Sequence, residues 1–447
     1  MAGDTDFLLE LPQGWSSSKL GAVADVTKLA GYEFTEYVEY DDSGEIMALR
    51  ALNVIDGRLD LTSVKRITKA VSDALPRSKL HKNDILLTYT GSIGQVAVID
   101  KQDKYHLAPN VCRLRVNGEV NVRFVFSFLR SSIFKQQLSS FTVGSTQPTI
   151  PMKSIREIAL PIPPLAEQKA IASILGALDD KIELNRRMNA TLEAMARALF
   201  QSWFVDFDPV RAKLDGRKPE GMDKATAALF PDSFEESEAG QIPKGWTIVK
   251  IHDCCVQIQN VGTPRRNEPR FWDGGNIPWL ASGEVRQSII TATEGFITED
   301  GLAESSAKWV PAFSTVVALY GATAGQVSFI SSRLTTNQAV CALIPKKDFA
   351  FFNYLTMRCA TNEMENKAVG SAQQNISKGI VEETQVVLPP ITLVERFAEL
   401  ANPLFDRWIS NLHQSRTLAT LRDTLLPKLL SGELSVAHST ITKGDKL

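Results

Sequence analysis

The sequence predicts an α+β (mixed α/β) protein: two repeated globular domains separated by two long helices that form an antiparallel coiled coil. Three observations predict it. The first is a long internal repeat. Leu11-Pro12-Gln13-Gly14-Trp15 returns as Ile242-Pro243-Lys244-Gly245-Trp246, 231 positions on (246 − 15). Tyr89 and Gly94-Gln95-Val96 return as Tyr320 and Gly325-Gln326-Val327 at the same offset (327 − 96). Val111-Cys112 returns as Val340-Cys341 at 229 (340 − 111), and Val143-Gly144-Ser145 and Pro163-Pro164 return as Val369-Gly370-Ser371 and Pro389-Pro390 at 226 (370 − 144). Matches that keep their order while the offset drifts by five (231 − 226) mark two copies of one domain with small loop deletions. The period is far beyond the roughly 20–50 residues of solenoids and propellers.

The second observation is β-like runs in each copy. Ile85–Thr88 continues into Tyr89, and Thr315–Ala318 into Leu319-Tyr320; Gln95-Val96-Ala97-Val98-Ile99 and Gln326-Val327-Ser328-Phe329-Ile330 follow after glycine-containing turns. Helical patterns come next, over 123–138 and 351–367. The third is a seam of Ile171, Leu175, Leu178, Ile182, Asn185, Asn189, Leu192, Ala196 and Leu199, spaced 4-3-4-3-4-3-4-3. That is a heptad pattern, and buried amides at Asn185 and Asn189 would weaken the coil while fixing register and partner. The second copy carries Leu404, Trp408, Asn411, Ser415, Leu418 and Leu425, with Asn411 matching Asn185 at 226 (411 − 185).

In order, the chain reads as a first domain over 1–160, a long helix over 161–205, a linker over 206–240, a second domain over 241–388, a second long helix over 389–434 and a tail over 435–447. Pro161-Ile162-Pro163-Pro164 stiffens the approach to the first helix. Each helix of about 40 residues would run about 60 Å. A lone one would expose its apolar stripe; two in one chain bury each other and hold the domains apart, unless each packs on its own domain instead. Pro209, Pro219, Pro231 and the acidic Glu235-Glu236-Ser237-Glu238 give 206–240 its linker character.

At 447 residues, with 44% hydrophobic and 22% charged, the chain has the composition of an ordinary soluble protein. No apolar run approaches a membrane span of 18 residues or more, and the acidic opening Met1-Ala2-Gly3-Asp4 lacks signal-peptide features. Five cysteines without a C-x-x-C spacing read as buried thiols in a reducing cytoplasm. The net charge of −2 argues against a broad nucleic-acid patch, but two windows lack acids altogether. Residues 120–156 hold Arg123, Arg130, Lys135, Lys153 and Arg156; residues 305–347 hold Lys308, Arg333, Lys346 and Lys347. They fall in comparable parts of the two copies.

Motifs for chemistry are missing. There is no phosphate-binding G-x-x-x-x-G-K-[ST], no G-x-G-x-x-G opening a helix and no [DNS]-P-P-[FYW] of amino-methyltransferases. The histidines are scattered, and His252 near Cys254 reads better as a structural pair than as a nucleophile pair. The candidate contact residues lie in loops instead. Ser145, Thr146 and Gln147 in the first copy, with Lys153 after them, match Ser371, Gln373 and Gln374 in the second, with Lys378. Short polar side chains can donate to phosphates, and glutamine can address adenine edges; a structural turn into the next strand is the alternative. Arg265, Arg266 and Arg270 share a loop with Phe271 and Trp272, a groove-reading element or a solvated loop over a packed tryptophan, and Lys308 adds a cation to the same domain.

The order and duplication of these motifs resemble the specificity subunit of type I restriction-modification enzymes. The L-P-x-G-W opening, the G-Q-V strand entries, the G-S-x-Q loops and Pro161-Ile162-Pro163-Pro164-Leu165-Ala166-Glu167-Gln168-Lys169 before the first helix carry the resemblance. So do Phe204-Val205-Asp206-Phe207-Asp208-Pro209 and Leu426-Pro427-Lys428-Leu429-Leu430-Ser431-Gly432-Glu433-Leu434 after the helices. It implies two target-recognition domains, each reading half of a split sequence in double-stranded DNA, about one helical turn (~34 Å) apart. It further implies that the helices dock two methyltransferase subunits, which bind S-adenosylmethionine and methylate adenine, and that two motor-nuclease restriction subunits join them. S-adenosylmethionine, ATP and Mg would sit on those partners, with no cofactor, metal or catalytic residue in this cytoplasmic, membrane-free chain. A stand-alone duplicated DNA-binding scaffold is the alternative. One departure stands out: Leu393-Val394-Glu395-Arg396 replaces Ala166-Glu167-Gln168-Lys169, so the two docking surfaces need not be equivalent.

Overall fold

The computed structural model describes residues 11–55, 57–144, 147–238, 240–367 and 375–436. The chain forms two compact units, one of residues 1–183 with 416–447 and the other of residues 184–415. Each unit is a lobe of sheets and short helices seated on parts of both long helices, Leu165–Phe204 and Ile391–Ser431.

In the first unit an antiparallel sheet runs in the order Ala24–Lys28, Val111–Val116, Ile85–Thr88, Val96–Val98. A second sheet orders Lys65–Ile67, Ile46–Leu49, Tyr105–Leu107 and Lys79–Leu80, with the middle pair parallel. The strand Ile85–Thr88 is apolar on both faces along Ile85-Leu86-Leu87 because both faces are covered: Ile85 and Leu87 join one core, Leu86 the other. Strand Ser16–Lys19 pairs antiparallel with Ala159–Ile162, which leads into the first long helix.

The second unit repeats this plan. Cys255–Asn260, Val340–Pro345, Thr315–Ala318 and Val327–Ile330 form the antiparallel sheet, with Ile289–Ile290 added in parallel at its edge. Gly295–Ile297, Ile277–Leu280 and Thr335–Thr336 make the smaller sheet. Thr247–Lys250 pairs with Gln385–Leu388 just as its counterpart does in the first lobe.

The first lobe rests on Ile171, Ala172 and Leu175 of the first long helix and on Leu426, Leu429 and Leu430 of the second. The second lobe rests on Ala196, Phe200, Trp203 and Phe204 of the first helix and on Leu393, Val394, Phe397, Ala401, Phe405 and Trp408 of the second. Full burial of each Leu, Ile, Val or Phe among these contributes about 1.5–3 kcal/mol. Several contacts are repeat mates at 226: Phe200 with Leu426 (426 − 200), Trp203 with Leu429 (429 − 203), Phe204 with Leu430 (430 − 204).

Inside the second unit the helices are antiparallel. The Asn185 amide donates to Ser415 Oγ (3.2 Å), to Gln414 Oε1 (2.9 Å) and to the Asn411 carbonyl (3.4 Å), while Asn411 donates to Asn189 Oδ1 (2.9 Å). As one strand of the seam advances from 185 to 189, its partner retreats from 415 to 411. The two bonds are images of each other in the repeat, since Asn185 matches Asn411 and Asn189 matches Ser415 at 226 (415 − 189). Leu192, Leu199 and Leu404 are half-buried against the core of the second unit and Leu425 against that of the first, while Leu178, Ile182 and Leu418 are half-buried along the helices.

The segment 206–240 is packed. It carries the helices Asp208–Leu214 and Lys224–Ala228, and Phe207, Val210 and Phe230 lie in the core of the second unit. Phe207 adopts a left-handed backbone (φ +55°), which costs a bulky residue roughly 1–2 kcal/mol and is held by edge contacts to Phe234 and Trp246.

Candidate nucleic-acid interface

Loops gather at one end of the large sheet in each lobe. In the first, strand Ile85–Thr88 runs into Tyr89 and the turn Thr90–Gly94, where Gly91 (φ +78°) and Gly94 (φ +85°) take conformations that a side chain resists. Thr88 Oγ1 braces the turn by accepting from the Gln95 amide at 2.9 Å. Beside it the chain reverses at Gly144: Val143 and Thr149 exchange backbone hydrogen bonds of 2.9 Å each way. The two loops are laced together by Ile150 N to Tyr89 O (2.9 Å), Gly91 N to Pro148 O (3.3 Å) and the hydroxyls of Thr90 and Thr149 (2.8 Å). Gln147 is exposed at this junction, and Lys153 is exposed on the following helix Met152–Glu157. The Lys28 ammonium, at the end of its strand, lies 5.2 Å from the centre of the Tyr89 ring. Ser145 and Thr146 lie outside the described residues.

The second lobe builds the same junction: Ile376 N donates to Leu319 O at 2.8 Å, and Tyr320 bridges to Asn375. Tyr320 is exposed. Ser371, Gln373 and Gln374 fall outside the described residues. Lys378 opens helix Lys378–Glu382, which Ser377 caps, and is paired with Glu382 at 2.9 Å, so its charge is offset locally. Between the strands Cys255–Asn260 and Ile277–Leu280 this lobe carries three arginines, where the first lobe has the helix Gly31–Tyr37. From Asn260, whose amide donates to Gln338 O (2.7 Å) and Val340 O (3.0 Å), the chain passes Thr263, hydrogen-bonded to the Gln338 side chain, and enters the arginine loop. There Arg270 grips Glu304 through two hydrogen bonds of 3.0 and 2.7 Å. Arg265 is exposed, and Arg266 lies over Trp272 (4.7 Å) and Trp279 (4.8 Å). Lys308 is exposed on the same small subdomain, where Arg333 lies over Trp309 at 4.5 Å.

The acid-free windows divide on inspection of partners. Arg123 pairs with Asp180 (3.1 Å), Arg130 with Asp179 (2.7 Å), and Arg156 donates to Val26 O (2.6 Å). Their acids come from the long helix, outside the window. Lys135 and Lys153 remain exposed. In the other window Lys346 donates to Asp253 O (2.6 Å) and the exposed Lys347 lies 3.8 Å from Asp348, leaving Lys308 and Arg333, over Trp309, as further outward cations. Sequence reading missed Lys28, Tyr89, Thr90, Asn260 and Gln338 as site residues, and it matched Tyr89 to Tyr320, whereas in the sheet Leu319 takes the place of Tyr89 and Tyr320 that of Thr90.

Nucleophilic chemistry finds no support in the cysteines. Burial pushes the thiols of Cys112, Cys254, Cys255 and Cys341 up to about 12, so they stay protonated at neutral pH. Cys359 alone is exposed. His252 is exposed beside Asp253 (3.6 Å) while Cys254 is buried. Among the described residues no group of three or more His, Cys, Asp or Glu could hold a metal, and no helix is long and apolar enough to cross a membrane.

Comparison with known proteins matches the same two lobes. The family model described as "Type I restriction modification DNA specificity domain" matches residues 12–194 and again 243–395, well over half of the chain. The specificity subunit of the type I restriction enzyme HindI of Haemophilus influenzae is 26% identical, the match covering 94% of this chain and 99% of that protein. The MjaIX specificity subunit of Methanocaldococcus jannaschii is 25% identical over 79% of this chain and 78% of its own. In three dimensions the chain is similar to the crystal structure of a type I restriction-modification S subunit from M. genitalium. The TM-score is 0.55 at 15% identity, covering 94% of this chain and 98% of that one, a likeness of fold.

Proposed function

The chain belongs to the type I restriction-modification DNA specificity family, and we propose that each lobe reads one half of a split DNA sequence through the loop cluster at its sheet end. It is a DNA specificity subunit with two specificity domains, so its target is bipartite. The observation that carries the assignment of loops is the repetition of the laced junction: Tyr89 and Thr90 against Thr149 in one lobe, Tyr320 against Asn375 in the other. Laced loops hold polar side chains in fixed places, which base-edge readout requires. Exposed Lys28, Lys153 and Lys308 supply sequence-independent attraction to phosphates.

Partner recruitment fits the long helices. Besides the buried seam they expose apolar residues at matching positions: Leu165 with Ile391 (391 − 165 = 226), Ile174 with Leu400 (400 − 174 = 226) and Met195 with Leu421 (421 − 195 = 226). Exposed large apolar groups kept at the same places in both copies fit two copies of one partner. That partner is a methyltransferase subunit carrying S-adenosylmethionine; ATP and Mg belong to restriction subunits that join it. The chain itself recognises and assembles, in the cytoplasm, without catalysing.

The experiment is an exchange of residues 11–160 for those of a relative, followed by sequencing of adenine methylation in cells that also express the methyltransferase partner. One half of the methylated motif should change and the other stay. A change in both halves would show that the lobes read DNA jointly. Methyl transfer by the purified chain alone would overturn its non-catalytic role.

A further inference from the structure

Resting on the reading of the second lobe as a DNA-reading domain, we propose that Arg266 reads a guanine in the half-site of that lobe. It would do so through two parallel hydrogen bonds from its guanidinium to O6 and N7, with Trp272 and Trp279 as the platform that aims it. The four other cations named for this subdomain differ from Arg266 in what they can still offer. Arg270 is closed off by Glu304 on both nitrogens. Lys308 is a point charge without a fork, and Arg265 has no ring beneath it among the described contacts. Arg333 rests on a single ring, that of Trp309.

Arg266 alone sits in the corner of two indoles. The rings of Trp272 and Trp279 meet edge to face, 5.1 Å apart at 88°, and the guanidinium carbon lies 4.7 and 4.8 Å from their centres. A guanidinium held over aromatic rings still offers whichever N–H groups no acceptor meets. No ion pair or hydrogen bond engages the Arg266 side chain among the described residues. The platform is itself immobilised: Trp272 Nε1 donates to Arg265 O (2.9 Å), and Trp279 is buried, held in strand register between Gly295 and Thr335.

Rigidity separates base reading from phosphate attraction. A phosphate is served by any flexible cation, whereas a base edge demands a donor pair at one place and angle. Guanine is the base that offers two acceptors side by side in the major groove. The placement agrees, because the arginine loop leaves the sheet end at Asn260 and is pinned there by Thr263 on Gln338, three residues past Thr335, the partner of Trp279. Arg266 therefore projects from the loop cluster that the functional reading assigns to DNA.

The test uses the full chain, coexpressed with its methyltransferase partner, with adenine methylation mapped across the genome. Wild type defines the bipartite motif. In Arg266→Lys, which keeps the charge and loses the fork, one G·C position of one half-site should become degenerate, with discrimination falling about 5- to 150-fold. The other half-site should be unchanged. Arg266→Ala should relax the same position. Retention of the full motif in Arg266→Lys overturns the proposal. So does a uniform loss of methylation at every site in Arg266→Ala with no position relaxed, the signature of a phosphate contact. A wild-type complex that methylates no bipartite sequence overturns the functional reading and this inference together.

Discussion

The two lobes sit on their helices through the same backbone joint built from opposite chemistry. In the first unit Arg130 of the lobe and Arg422 of the second helix share Asp179 at 2.7 and 2.8 Å, and Arg123 reaches Asp180. The repeat mate of Asp179 is Phe405 (405 − 179 = 226), and that of Arg422 is Ala196 (422 − 196 = 226). Phe351, which stands where Arg123 stands in the first lobe (351 − 123 = 228), stacks on Phe405 with centres 3.8 Å apart and planes at 15°. Arg358, matching Arg130 at 228 (358 − 130), keeps an ion pair at 3.7 Å to Glu193, and Arg396 of the second helix pairs with Asp223 at 2.9 Å.

The helix starts differ in the same sense. Gln168 is buried in the first unit, accepting from Asn121 N (2.9 Å) and donating to Pro163 O (2.8 Å); its mate at 226 is the buried Val394 (394 − 168). Trp15 donates to Glu167 at 3.0 Å, whereas Trp246 is buried without a partner for its N–H, because the mate of Glu167 is Leu393. Duplication has preserved where the lobe meets the helix. It has not preserved what holds them together. Apolar packing tolerates an orphaned N–H in exchange for area, and a polar joint is specific but exposed to salt and pH.

The comparison can be broken by experiment. The largest effect should come from Phe405→Ala, which removes the central ring of the second joint and should destabilise that unit by about 3–5 kcal/mol. Denaturant unfolding, with hydrogen exchange to localise the loss to 350–359, would check it. An effect confined to the first unit would mean the joints are not independent. Asp179→Ala leaves two arginines facing each other at a partly exposed site, so about 2–3 kcal/mol should be lost from the first unit. That loss should shrink in molar salt, while the Phe405 effect should not.

A gentler probe is pH. His106 is fully buried in the first lobe, its ring nitrogens 2.8 and 3.3 Å from the carbonyls of Leu107 and Leu75, and burial holds its pKa below the usual 6.5. A depressed histidine favours the neutral folded state. Its contribution is therefore present above pH 6.5 and is lost as pH falls through the lower folded value. The first unit should soften on mild acidification ahead of the second; in a His106→Leu variant, acid sensitivity in that range should fall. Arg123→Ala should cost least, about 0.5 kcal/mol, since that pair is largely exposed.

What the sequence disclosed follows from the range of each signal. The repeat, the strand pairs and the heptad seam are periodic, so they show in a linear reading. The joints are not. Arg130 meets Asp179 across 49 residues and Arg422 meets it across 243, and a window that counts local acids sees neither. Arg270 looked like its neighbours Arg265 and Arg266 until Glu304, 34 residues away, was found beside it. Phe207, Val210 and Phe230, the large apolar residues of 206–240 that join the core, are set among prolines and charges without a period to reveal them.

The order in which the chain is made has a consequence for the first unit. Its core needs Leu426, Leu429 and Leu430, and Gly432 lies against Pro12 at the other end of the sequence. The second unit is contiguous, residues 184–415, and has all its parts once residue 415 has been synthesised. During translation, then, the lobe made first is completed last, with its apolar sheet face waiting while more than two hundred residues are added (416 − 183 = 233). Refolding of the intact chain removes that handicap, because closing so long a loop costs only logarithmically more than closing a short one.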